Sequence, residues 1–141
     1  MALIRDVVVD CRHPASLARF WAAVLDGYAV APYDEAELTR LRAAGIDSPE
    51  DDPTVLVEPE RENEPRLFFQ LVPEAKTVKN RLHLDLRPED QAAEVARIEA
   101  LGATRVDIGQ GEDVTWVVLA DPEGNEFCVL RALTAEERAA G

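Results

Sequence analysis

Residues 81–86, RLHLDL, alternate two kinds of side chain. Successive residues of a strand point to opposite faces, so Arg81, His83 and Asp85 share one face and Leu82, Leu84 and Leu86 the other. An imidazole beside a carboxylate can move a proton near neutral pH or help hold a divalent cation. A second stretch, DPEGNEFCVL at 121–130, sets Glu126 and Cys128 at the same two-residue spacing. A one-sided sheet would ordinarily turn such polar residues to water. The alternative is that this face lines a cavity in which His83 works.

The elements that must position these residues read clearly from pattern. Residues 3–11, LIRDVVVDC, are rich in β-branched residues and predict a strand. HPASLARFWAAVLDG predicts a helix, with Pro14 in its first turn, Leu17, Phe20, Trp21, Val24 and Leu25 at helical spacing, and Gly27 as its stop. YAVAPY is a short strand. DEAELTRLRAAG, with Asp34 as N-cap and Gly45 as stop, predicts a second helix over 34–45. TVLVEPE and RLFFQLV are strands joined by PERENEP, with 58–66 a solvated loop. RLHLDLRP then opens a second half. EDQAAEVARIEALGA is an amphipathic helix with Ala92, Val95, Ile98 and Leu101 as its stripe. ATRVDIG, DVTWVVLA and EFCVLRAL are strands, DPEGNE is a turn, and the polar tail TAEERAAG has room for one helical turn.

The order is strand, helix, three strands, stated twice, with the 34–45 helix as the main difference between the halves. The expected fold is α+β: two βαβββ modules forming a cupped mixed sheet with helices on the outside. A ferredoxin-like sandwich is the competing arrangement. The 141 residues suit one domain, with module one over about 1–73, including the inserted helix at 34–45, and module two over about 80–133.

Composition narrows the partners. A net charge of −13 repels phosphate backbones and anionic lipid, which argues against nucleic-acid or membrane-surface binding. The two cysteines, Cys11 and Cys128, make no CxxC pair and read as free thiols, so a cytoplasmic protein is expected. The opening MALIRDVVVDCRHP carries charges inside its apolar run and does not read as a secretion signal. No P-loop, G-x-G-x-x-G or G-x-S-x-G is present, which argues against nucleotide or serine-hydrolase chemistry.

Four stretches in order carry a family resemblance: LARFWAAVLDGY, KNRLHLDL, IEALGATRV and VLADPEGNEFCVL. Together they resemble the vicinal oxygen chelate superfamily, and within it the glyoxalase-like domain of glyoxalase/bleomycin resistance proteins, over nearly the whole chain. The resemblance implies a cup that holds a small-molecule ligand, often with a divalent metal, and frequent homodimers. It also implies that apolar strand residues pack outward under helices, so that Arg81, His83 and Asp85 face the cup.

The superfamily draws its metal ligands from strands one, four, five and eight, usually as His or Gln, Glu, His and Glu. The resemblance sets His83 at the fifth-strand position, as metal ligand or base. The first-strand position falls at Asp6, with Asp10 on the same face. Strand four offers Gln70. The eighth-strand position holds Cys128, with Glu126 two residues earlier as a carboxylate partner for His83. Trp116 is a candidate to line the cup, and His13 at a loop-to-helix junction is expected to be exposed. Zinc, manganese, iron and nickel all suit imidazole and carboxylate, but the amide, thiol and displaced acids weigh towards a metal-free polar cleft. Two functions follow as expectations. One is lyase, isomerase or transferase chemistry on a small oxygenated metabolite, with His83 and Glu126 as the working pair. The other is non-catalytic sequestration of a drug or metabolite.

Overall fold

A computed structural model describes residues 1–141, and the chain divides into two compact units, Met1–Lys76 and Thr77–Gly141. The first contains β1 (Asp6–Cys11), α1 (Pro14–Val24), β2 (Tyr28–Val30), α2 (Glu35–Ala43), a 3-10 turn (Pro49–Asp51), β3 (Thr54–Pro59) and β4 (Arg66–Leu71). The second contains β5 (Asp85–Leu86), α3 (Gln91–Ala100), β6 (Thr104–Arg105), β7 (Val117–Ala120), β8 (Glu126–Val129) and α4 (Ala135–Ala140). The fold is α+β, a βαβββ module in each unit with a four-stranded mixed sheet, ordered β1-β4-β3-β2 in one and β5-β8-β7-β6 in the other.

The mixed character has a simple origin. Within each unit the last three strands pair antiparallel. The first strand is followed by a helix, which carries the chain over the sheet and returns it so that β1 pairs parallel to β4 and β5 parallel to β8. In the first unit, α1 buries Leu17, Phe20, Trp21 and Val24, and it packs on β3 and β4, whose Val55, Val57, Leu67 and Phe69 are buried. The Phe20 and Trp21 rings meet edge to face, 5.5 Å between centroids. In the second unit, α3 contributes Val95 and Ile98 to a core shared with Leu119, Phe127 and Val129. Its stripe is narrower than expected, for Ala92 and Leu101 are exposed.

The helix at 34–45 forms as α2. The Asp34 carboxylate caps the Glu37 amide at 2.9 Å, and Gly45 at φ +80° ends the element. Acids in its first turn and arginines in its last complement its dipole. Leu41 is its single buried residue.

Strand lengths in the second half fall short of expectation. The 79–84 stretch is not laddered: β5 is only Asp85–Leu86, although the Leu84 carbonyl still accepts from the Cys128 amide at 2.9 Å. Leu82, expected beneath a helix, is 72% exposed, and Leu84 and Leu86 are half-buried. β5 is an edge strand, with β8 its one neighbour, so nothing draws the preceding residues into pairing. The strand predicted over 103–109 shrinks to Thr104–Arg105, because the Asp107 carboxylate and Gln110 side chain take the amides of Gly109 and Ile108 at 2.7 and 2.8 Å and turn the chain. No helix is long and apolar enough to cross a membrane.

The tail is better ordered than its composition suggests. Thr134 and Glu137 form a reciprocal capping box on α4, and Glu137 also makes a two-toothed ion pair with Arg131 at 2.8 and 2.7 Å. Those partners, Arg131 first, lower the Glu137 carboxyl from 4.5 to about 2. Its folded value lies below its unfolded one, so its contribution is complete above the unfolded value and is lost as pH falls towards 2. The protection of the α4 amides, measured against the unfolded chain's exchange rate at the same pH, will therefore fall across that acid range in the parent chain, and Glu137→Gln will flatten the dependence. In the core, Phe69→Ala will cost about 3–5 kcal/mol in urea unfolding, because its ring is fully buried under α1.

Candidate functional site

The parallel pairing of β5 with β8 sets Asp85 directly opposite Cys128. His83 lies two residues before Asp85 and reaches it side by side, with Nε2 3.2 Å from Oδ1. The donor atoms of His83, Asp85 and Cys128 all lie within 4.8 Å of one another. His83 and Asp85 have half their side-chain surface in water, 48% and 51%, whereas Cys128 is buried. The group is thus open on one side and floored by a thiol.

Asp85 is its centre. Burial pushes the Cys128 thiol up, and the Asp85 charge and a hydrogen bond to Asp85 push it further, against a weaker opposing effect from Lys79. Cys128 therefore rests as a thiol that donates to Asp85, not as a thiolate nucleophile. The segment before β5 is tied in place by the Asn80 side-chain amide, which donates to the Glu126 carbonyl at 3.0 Å. On the helix side, the Gln91 amide donates to the carbonyls of Thr115 and Val129 at 2.8 and 2.9 Å, joining the start of α3 to β8 and to the approach of β7. Asn80 and Lys79 are site-shaping residues that sequence reasoning passed over. Their one signal was position, in the same KNRLHLDL stretch as His83.

The other candidates are distributed as follows. Glu126 opens β8, half-buried, one strand repeat from Cys128 and outside the three-donor group. Arg81 is exposed in the segment before β5, and Trp116 is exposed just ahead of β7. Asp6, Asp10 and Gln70 belong to the first unit. Asp10 and Gln70 oppose each other across β1 and β4, both exposed. Asp6 opposes Arg66 and is held by it through two hydrogen bonds of 2.7 and 3.2 Å. That pairing keeps the Asp6 carboxyl below its ordinary value, and the Arg66 guanidinium also lies over the Phe68 ring at 5.1 Å. Asp6 is therefore engaged within its own sheet.

An imidazole, a carboxylate and a thiol at this spacing match the donor types of a three-residue divalent site that leaves one position open to water or substrate. The paired βαβββ modules are the fold of the vicinal oxygen chelate superfamily. Within it, the glyoxalase-like domain family matches residues 6–130, and the chain belongs to that family. A comparison with curated protein sequences finds no match.

Solved structures share the fold at low identity. A glyoxalase/bleomycin resistance protein/dioxygenase family enzyme from Burkholderia phytofirmans PsJN is 19% identical with a TM-score of 0.60, over 94% of this chain and 100% of that one. The fosfomycin resistance protein FosX from Mesorhizobium loti is 13% identical with a TM-score of 0.60, over 100% and 99%. A FosX mutant from Listeria monocytogenes, solved with manganese(II) and 1S,2S-dihydroxypropylphosphonic acid, is 10% identical with a TM-score of 0.61, over 100% and 99%.

The electrostatics of Cys128 can be checked directly. In a Cys11→Ser background, the reaction of Cys128 with a soluble disulfide reagent will rise with pH at a lower midpoint in Asp85→Asn than in the parent. An unchanged midpoint would mean that burial alone holds the thiol up.

Proposed function

We propose that the second unit carries a divalent-cation site built from His83, Asp85 and Cys128, and that a small oxygenated molecule is bound and processed there. The convergence of three different donor types within 4.8 Å carries this reading. A solved neighbour of the same fold holds manganese(II), but the thiol here favours a softer ion, with zinc the best match. When bound, such an ion would supply Lewis-acid stabilisation to an oxyanion of the ligand.

The chain's own residues have separable tasks in this reading. The 3.2 Å contact with Asp85 holds the His83 imidazole beside the other donors, and a bound cation would replace that contact by ligation from both residues. Cys128 must release its proton to ligate, so affinity for a cation rises with pH. Glu126, on the same strand two residues away, is the second carboxylate that a proton-transfer step would call on. Arg81 and Trp116 complete the proposed ligand contacts in this unit. A reduced, cytoplasmic setting belongs to the same reading, because the two cysteines are buried and not bridged by a disulfide. So does a homodimer, the assembly the resemblance implies.

Competition titration of chelator-stripped protein with zinc, manganese, nickel and iron tests the site. The expected result is one zinc per chain, tighter at pH 8 than at pH 6. Either His83→Ala or Cys128→Ser should weaken it by more than about tenfold, with the circular dichroism of the fold retained. Stoichiometric zinc binding that neither substitution affects would remove the site from these residues. Failure of every cation to bind would leave a metal-free cleft, the sequestering alternative.

A further inference from the structure

The chain that leads into β5 runs from Thr77 to His83 with every residue exposed except Asn80, which is half-buried. Two bonds to β8 bracket His83. Behind it, the Asn80 Nδ2 donates to the Glu126 carbonyl at 3.0 Å. Ahead of it, the Leu84 carbonyl accepts from the Cys128 amide at 2.9 Å. Four residues separate Asn80 from Leu84 along the chain, whereas only two separate their partners, Glu126 and Cys128. The segment therefore bows away from β8 between its ties, and Leu82, at the crown of the arch, is 72% exposed. His83 lies on the same arch, next to the forward tie.

The Asn80 bond takes the place of a ladder bond. The register pairs Asp85 with Cys128 and Leu86 with Val129. Continued one step back, a parallel ladder would bring the Leu84 amide to the Glu126 carbonyl. That carbonyl accepts the Asn80 side chain instead. β5 is an edge strand with β8 as its one neighbour, so no second strand steadies the arch. The 3.2 Å contact of His83 with Asp85 joins two half-exposed side chains and is too weak to hold the backbone that carries one of them. A single neutral hydrogen bond shifts such an equilibrium by about fivefold. That is small beside the stability of a domain. It is large for a ligand group, because a donor that is out of reach lowers affinity in proportion to the time it spends away.

We propose that Asn80 is a positioning residue: its bond to the Glu126 carbonyl pins the arch to β8 and so keeps His83 beside Asp85 and Cys128. Asn80 lies outside the donor group and acts through His83. Its effect on cation affinity rests on the reading of the three donors as a divalent site. Its effect on the His83–Asp85 contact does not.

Two substitutions separate the bond from the space that Asn80 fills. Asn80→Leu keeps the size and removes the donor, and Asn80→Gln keeps the donor on an arm one methylene longer. In the chelator-treated full chain, Asp85→Asn should move the His83 ring resonances in proton–carbon NMR, assigned by their loss in His83→Ala. With Asn80→Leu in place, the same change should move them less than about half as far, and Asn80→Gln should restore most of the movement. In zinc competition titrations, Asn80→Leu should weaken affinity by about fivefold, and Asn80→Gln by less than about twofold. In a His83→Ala background, Asn80→Leu should make no further difference. A loss of equal size with and without His83 would mean a general loosening of the unit and would overturn the proposal. So would a ring response to Asp85→Asn that is the same in Asn80→Leu as in the parent. If the parent takes up no zinc, the cation reading falls, and the ring resonances alone decide the role of Asn80.

Discussion

Each module is closed by one parallel pair of strands, and the His83, Asp85 and Cys128 donor group lies along the second of these pairs. A helix must separate the two partners in sequence, because parallel neighbours cannot be joined by a tight turn. The result is that the first strand of a module lies against its last, residue opposite residue, over β1 with β4 and β5 with β8. The same frame gives opposite outcomes in the two units. In the first, the pairing meets an acid with a base, and Asp6 and Arg66 satisfy each other. In the second it sets an acid opposite a thiol, with an imidazole on the acid's open side. One site is internally quenched and the other is left chemically open.

Much of this was legible in the sequence, for local reasons. Apolar periodicity marked α1 and the central turns of α3, and turn residues separated β3 from β4. Asp34 announced its helix through the cap that it makes, whereas the Asp90 cap on α3 emerges only in the structure. Cross-strand relations were less legible. Nothing near Asp6 in the chain advertises Arg66, its partner across the parallel ladder. The alternation of RLHLDL suggested a full strand, but alternation cannot tell whether a neighbour exists to pair with, and Leu82 has none. Likewise, Glu126 and Cys128 share a face by spacing alone, and only the register shows that Cys128 is the one opposite Asp85.

The inserted helix α2 is held in a different way from α1 and α3. It contributes one buried side chain, Leu41, and otherwise depends on its Asp34 cap and on the Arg40–Glu37 pair. The Tyr33–Asp52 hydrogen bond ties the chain that leads into it to the buried carboxylate. Few apolar contacts and many exposed polar ones mark an element of low local stability. Helix α2 is therefore less firmly held than the sheet of its own unit.

The parallel pair also dictates an order of assembly. While the chain is being made, β1 emerges first and has no partner until β4 follows, whereas β3 and β4 can form their hairpin as soon as both exist. Closing the intervening loop costs entropy before any ladder bond rewards it. Loop-closure entropy thus favours sealing each module last along the seam where its first and last strands meet. In the second unit that seam is where Asp85 meets Cys128, so the donor group comes into being only with the final closure of its module.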